Sequence, residues 1–335
     1  MIRFNEYFND WLYGNNGYYA NYKQIGKEGD FYTSVSTSSF FGGTIAKRLI
    51  DSIEKNILPK NTTLVEVGAH HGYLLADIIQ FIYTLKPKLL ETLNFAIVER
   101  FENLQEQQKN YLKDSFGDVI KIKHYNDISE VKLNNAFIVA NEIFDAFGCD
   151  LVYTNKDGIL QNAYVNEHKI EFKDCQDVEL IEHCKKYSIE KGEVCLNYKE
   201  FVQTICKNIS SFEFLTFDYG DRYPRNDFST RIYESHNVYP IFDEEIHLKK
   251  LFKKSDITYD VHFNYLKDLF LQENVKDVKF NTQLKSLVDF GILDLLEILK
   301  ANVDENTYLR ETQKVKILLE PTGMGDRFKT LSIIK

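Results

Sequence analysis

"VEVGAHHGYLLA", residues 65–76, is the stretch on which the reading of the fold turns. An apolar run ends at Gly68, and a second apolar pattern opens after Gly72. Strand, glycine turn and helix in that order are where open α/β sheets bind ligands. Glycine lets the backbone come close, and the helix start presents N–H groups with no partner inside the helix. Two adjacent histidines, His70 and His71, sit inside the turn. A metal would need further His, Cys or carboxylate ligands from elsewhere in the chain, so no metal site is expected. The two histidines read as loop residues, with a catalytic role for either as the alternative.

Outward from this turn, apolar strands alternate with helices. "TTLVEVG" (62–68) reads as a buried strand and "YLLADIIQFIYTLKP" (73–87) as a helix ended by Pro87. "NFAIVE" (94–99) is a second strand, and "FENLQEQQKNYLKDSFG" (101–117) a helix closed by Gly117. "IKIKHY" (120–125) and "AFIVANE" (136–142) are further strands. This alternation predicts a doubly wound, mainly parallel sheet covered on both faces. Residues 3–13 and 38–55 read as helices, so 1–60 is expected to form a helical N-terminal segment acting as a lid.

The rhythm breaks at 151–172, where alternation around Asp157-Gly158 reads as a β-meander, followed by a charged helix near 177–187. Residues 151–210 are therefore expected to be an inserted α+β subdomain, between core segments 61–150 and 211–335. The sheet resumes at "FEFLTFDYG" (212–220), and helices follow near 284–300. "KVKILLEPTGMGDRFKTLSIIK" (314–335) reads as two strand-like runs around Gly323–Gly325, suiting a closing antiparallel pair.

The chain has 335 residues, 44% of them hydrophobic and 14% aromatic, enough for a substantial core. A net charge of −9 argues against nucleic-acid binding driven by counterion release. Five cysteines without a C-x-x-C pair suit a reducing compartment. The start, "MIRFNEYFNDWLYG", lacks the basic and apolar regions of a signal peptide, and no apolar run approaches the length of a membrane span. The expectation is a cytoplasmic protein of bacterial type, with no targeting sequence and no membrane insertion.

A pyrophosphate-binding turn would show G-x-G-x-x-G, but from Gly68 the second position is His70 and the last Tyr73. The spacing Gly68-x-His70-x-Gly72 after Glu66 matches a degenerate G-x-G-x-G, the loop of S-adenosylmethionine (SAM) methyltransferases. SAM carries no phosphate, and Glu99, ending the next strand, is placed to accept the ribose hydroxyls.

The ordered motifs extend that reading. "GYY" (17–19), "GDFYTS" (29–34), "EVGAHHGYLLADI" (66–78), "IVE" (97–99) with Leu104 and Gln108, and "NEIFDAF" (141–147) come first. "DYG" (218–220), "STRIYESH" (229–236), "DIT" (256–258), "TQ" (282–283) and "MGDRFK" (324–329) follow. In this order they resemble the MidA family of SAM-dependent methyltransferases, whose mitochondrial relatives are complex I assembly factors that methylate arginine. The family's middle glycine is His70 here, its Pro-Glu after Thr-Ser is Val35-Ser36, its Phe-Gly-Glu is Phe41-Gly42-Gly43, and its H-V-D-F is Asp260-Val261-His262-Phe263.

The resemblance implies a class I SAM-methyltransferase fold with an antiparallel last strand. It implies Asn141, Glu142 and Asp145 as catalytic residues. It implies Asp30, Thr33, Ser34, Glu66, Gly68, His70, Gly72, Glu99 and Asn141 as cofactor-binding residues. It further implies a protein substrate, such as a respiratory complex I subunit, and is compatible with a homodimer. Glu142 and Asp145 at i, i+3 would face one way on a helical turn and clamp a cationic acceptor, or simply be acids at a helix start. Asp218 reads as either a cleft-edge or a structural acid, and Arg231 and His236 as acceptor contacts or caps.

Three function classes remain: a protein arginine methyltransferase, a methyltransferase for a small molecule or another residue, and a SAM-binding assembly factor with little turnover. The 151–210 insertion favours a macromolecular partner over a small acceptor.

Overall fold

In a computed structural model of the chain, residues 1–20, 33–234 and 237–335 are described. Asp30, His236 and residues 21–32 of the segment expected to act as a lid lie outside them. The chain forms two compact units. One comprises Thr33–Ile143, Phe201–Asp218 and Lys267–Lys335; the other comprises Met1–Tyr32, Phe144–Glu200 and Tyr219–Leu266.

The first unit is built on a mainly parallel sheet. Its strands are β1 (Thr63–Val67), β2 (Asn94–Val98), β3 (Ile122–Tyr125), β4 (Leu133–Asn141), β5 (Ile209–Asp221, whose last residues belong to the other unit), β6 (Asp277–Thr282) and β7 (Phe328–Ile334). Their order across the sheet is β6-β7-β5-β4-β1-β2-β3. Strands β1 to β5 run parallel, while β6 and β7 pair antiparallel, Phe280 opposite Leu331. The amide of Lys335, just past the end of β7, donates to Phe212 O near the start of β5, so β7 runs against β5. All five β1 residues are buried, as a strand covered on both faces requires.

Helices α1 (Phe40–Glu54), α2 (Tyr73–Leu85) and α3 (Glu102–Phe116) belong to this unit. Phe41, Leu49, Ile78 and Ile82 share one apolar core with Phe137, Leu215 and Phe217 of the sheet. Each such buried side chain contributes about 1.5–3 kcal/mol.

One sequence expectation fails here. "KVKILL", read as a strand, is the end of a helix, Glu305–Leu319. Asp304 caps it through the Thr307 amide, Glu311 pairs with Lys314 one turn on, and Val315 and Leu318 bury one face. The local alternation was helical periodicity cut short; only the last run, Phe328–Ile334, is a strand.

The second unit holds the meander, Asp150–Thr154, Leu160–Asn166 and Lys169–Asp174, with Lys191–Val194 beside its first strand. The N-terminus joins it by non-local pairing: Ile2 and Arg3 lie opposite Val165 and Tyr164, and Arg3 bonds Asp150 and Asp177. Buried Trp11, on the helix Phe4–Tyr13, donates to Ser255 O. The expected 1–60 segment is thus divided: residues 1–20 go with the meander and 33–60 with the sheet. The expected insertion divides likewise, 151–200 to the second unit and 201–210 to the first. Among the described residues no helix is long and apolar enough to cross a membrane.

Candidate active site

The turn after β1 is built from alternating left-handed residues. Gly68, His70 and Gly72 have φ of 71°, 52° and 80°. At Gly68 a side chain is doubly disfavoured, because a Cβ would lie 3.0 Å from Ile143 Cγ2. His70 adopts a conformation that costs a non-glycine residue about 1–2 kcal/mol. Its imidazole is packed edge-on against His71, centroids 4.1 Å apart. Burial, then the neighbouring His71, lowers its pKa to about 3, so it is neutral at ordinary pH. Burial also lowers the pKa of His71. Among the described residues no group of three or more His, Cys, Asp or Glu could hold a metal ion.

Glu66 does not face open space. It is buried, and its Oε2 accepts the Leu75 amide, the third residue of α2, so it caps that helix from the strand below. Burial raises its pKa to about 8 against the lowering effect of that bond, with Asp77 and Glu99 adding to the rise.

Glu99, just past β2, is oriented from two sides. The Phe101 amide donates to Oε1 at 3.0 Å, and the Gln108 amide group, from α3, lies 3.5 Å from Oε2. Burial raises its pKa and these donors oppose the rise. The Arg100 amide also donates to the carboxylate, which with about four lone-pair sites keeps acceptor capacity. The sequence singled out Gln108 only as a motif position; the structure makes it a junction.

At the end of β4 the chain turns through Glu142, which is left-handed (φ 52°) rather than helical. The expectation of Glu142 and Asp145 one turn apart on a helix is therefore corrected. The Glu142 amide donates to Phe217 O of the neighbouring strand, which holds the residue to the sheet while its side chain stays partly exposed. Asn141 Nδ2 donates to Glu142 Oε1 at 2.9 Å. Asn141 Oδ1 is buried with no hydrogen-bond partner among the described residues.

Asp145 lies in a short 3₁₀ turn, Phe144–Ala146, in the second unit. It is buried; desolvation raises its pKa to about 7, opposed first by the charge of Arg231. Arg231 donates to Asp260 at 2.8 Å and to Tyr233 Oη at 3.0 Å. Ser229 and Thr230 hold the carboxylate of Glu193. Most of "STRIYESH" therefore cross-links this unit internally.

Thr33 caps the short helix Ser34–Thr37, and the buried Ser34 hydroxyl is 3.0 Å from Gln283 Oε1 and 3.8 Å from Met324 Sδ. Three separated motifs, "GDFYTS", "TQ" and "MGDRFK", meet in that contact. Asp218 is fully buried.

A model of the family described as "Putative S-adenosyl-L-methionine-dependent methyltransferase" matches residues 44–280, well over half of the chain. The chain belongs to the MidA family of SAM-dependent methyltransferases. Among its relatives, the mitochondrial protein arginine methyltransferase NDUFAF7 of Danio rerio is 24% identical over 344 residues, 95% of this chain and 79% of that one. The Homo sapiens protein of the same name is 24% identical over 351 residues, 95% and 76% of the two chains. A Burkholderia thailandensis structure bound to S-adenosyl-homocysteine superposes with a TM-score of 0.84 at 19% identity, covering 100% of this chain and 88% of that one. That likeness establishes the class I α/β fold.

The family's cofactor is SAM, and the residues present suit such a ligand. Glu99 has acceptor capacity left, and the buried Asn141 Oδ1 lacks a donor among the described residues. Glu99 and Glu142, just past the ends of β2 and β4, are acids, a setting that disfavours a pyrophosphate and suits a cationic, hydroxyl-bearing molecule.

Proposed function

We propose that this methyltransferase acts on the guanidinium of a protein arginine, in a subunit of a respiratory complex of the complex I type, in the bacterial cytoplasm. The names of the relatives support the acceptor, and one observation carries the reading at residue level. Glu142 is held in a left-handed conformation at the carboxyl end of β4, its carboxylate braced by Asn141 and partly exposed. A strained, over-determined acid at a strand end is characteristic of functional sites.

SAM supplies an electrophilic methyl on a sulfonium. The protein's work is then positioning. In this proposal Glu99 accepts the ribose hydroxyls, Asn141 Oδ1 accepts a donor from the cofactor, and the backbone of Gly68, His70 and Gly72 shapes the turn around it. Thr33, Ser34 and Asp30 remain proposed cofactor contacts of the N-terminal segment. Glu142 pairs with the guanidinium N–H groups, orients one nitrogen and stabilises the cation. Asp145 remains a proposed catalytic carboxylate of the motif. A guanidinium pKa above about 12 keeps the acceptor protonated at the start. An N–C bond would form as the S–C bond breaks, and the methylated nitrogen, made acidic by the added charge, would then release its proton to solvent, so no strong base is needed.

Incubating the protein with methyl-labelled SAM and a lysate of its source organism, then identifying the labelled species, tests this. Label on a protein arginine supports the reading; label on a small molecule or on another residue replaces it. One observation favours a second reading, a SAM-binding assembly factor with little turnover: the half-buried His70 ring stands at the family's middle glycine. No labelled product would favour that reading.

A further inference from the structure

We infer that Gln108 is a positioning residue for the cofactor site, acting through Glu99. The inference rests on the reading of Glu99 as the ribose-binding acid. Gln108 projects from α3 and is fully buried. Its Nε2 donates to His70 O at 2.8 Å and faces Glu99 Oε2 at 3.5 Å. Its Oε1 lies 3.1 Å from His124 Nε2, on β3. One amide thus touches the turn after β1, the acid after β2 and a side chain of β3.

The chemistry fixes the orientation of that amide. Nε2 faces two acceptors, a carbonyl and a carboxylate, and a flipped amide would set its oxygen against both. Oε1 must therefore accept, and His124 must carry its proton on Nε2. Gln105, one helical turn earlier, donates to Glu99 O at 2.6 Å and to Asn126 Oδ1 at 2.9 Å, fixing the backbone of the acid as Gln108 steers its carboxylate. The left-handed His70 is tied down by the same group. Its carbonyl meets a buried donor, which helps to hold a conformation that a non-glycine residue avoids.

The consequence is coupling: Gln108 matters to the ligand because it aims Glu99. Calorimetry with S-adenosylhomocysteine on the full chain, for the parent, Glu99→Ala, Gln108→Leu and the double variant, tests it. Each single variant should bind roughly tenfold more weakly or worse, and the double variant about as weakly as Glu99→Ala alone, because coupled residues are non-additive. Parent-like binding by Gln108→Leu, or losses that multiply in the double variant, would overturn the inference. Parent-like binding by Glu99→Ala would instead overturn the reading of Glu99 beneath it.

Gln108→Glu covers the case in which Gln108→Leu does not fold. Ionised, the new carboxylate opposes His70 O and Glu99; protonated, it donates again. Its binding should tighten from pH 8 to pH 6 while the parent's does not. The same affinity at both pH values in the variant would overturn the donor role.

Discussion

The turns after β1 and β4 both leave the sheet through left-handed residues, yet they are finished differently. After β1, two polar groups are answered from inside: Glu66 by the Leu75 amide and His70 O by Gln108. After β4, Glu142 is braced by Asn141, but Asn141 Oδ1 is buried with no partner among the described residues, and the Glu142 carboxylate is partly exposed. The first turn is tied down by the protein at those two points. The second keeps one buried acceptor, Asn141 Oδ1, without a donor among the described residues. On the proposed reading, motif residues of one site divide into those that build it and those that meet the ligand.

The largest expected effect sharpens the builder role of Glu66. Its folded pKa of about 8 lies above the ordinary 4.5. Between those values the folded state keeps a proton that the unfolded state has lost, so this group's contribution to stability falls as pH rises from about 4.5 to 8. Glu66→Gln keeps an acceptor for Leu75 and removes the titration. Melting curves should show the variant gaining on the parent steadily between pH 5 and pH 8. A constant difference across that range would mean that Glu66 is not buried as a neutral acid.

Glu99→Ala comes next. Removing a carboxylate that makes charge-assisted bonds should weaken SAM binding by about 1.5–3 kcal/mol. Unchanged affinity in calorimetry would move Glu99 from the ligand side of the comparison to the builder side.

The smallest effect is expected at His70. His70→Gly removes a left-handed strain of about 1–2 kcal/mol but adds the flexibility of glycine, about 0.5–1 kcal/mol. The variant should fold with a melting temperature at or slightly above the parent's and retain SAM binding. Lost SAM binding would show that the imidazole, not the turn, holds the cofactor.

Much of this was legible in the sequence, for identifiable reasons. The strands and helices from 62 to 142 announce themselves because each is short, apolar at its own period and punctuated by glycine or proline. The left-handed turn was legible through Gly68 and Gly72. Non-local choices were hidden. Nothing near Ile2 and Arg3 signals pairing with Val165 and Tyr164, and "KVKILL" shows six residues of a helix whose cap stands ten residues earlier, at Asp304. Likewise "NEIFDAF" read as a helix start because acids at i, i+3 look the same in sequence whether the first is helical or left-handed. Gln108 was visible as a position, but its partners come from three separate segments.

The central claim is that Glu142 meets the acceptor, and its charge is the direct test. Glu142→Gln keeps the shape, the turn and the Phe217 bond, and should melt like the parent and bind SAM nearly as well. Its methylation rate, on the acceptor that the labelling experiment identifies, should fall at least roughly tenfold, about 1.4 kcal/mol of transition-state stabilisation. An unchanged rate in a folded, SAM-binding variant would contradict the account and leave Glu142 as a strained strand end without a role in the chemistry.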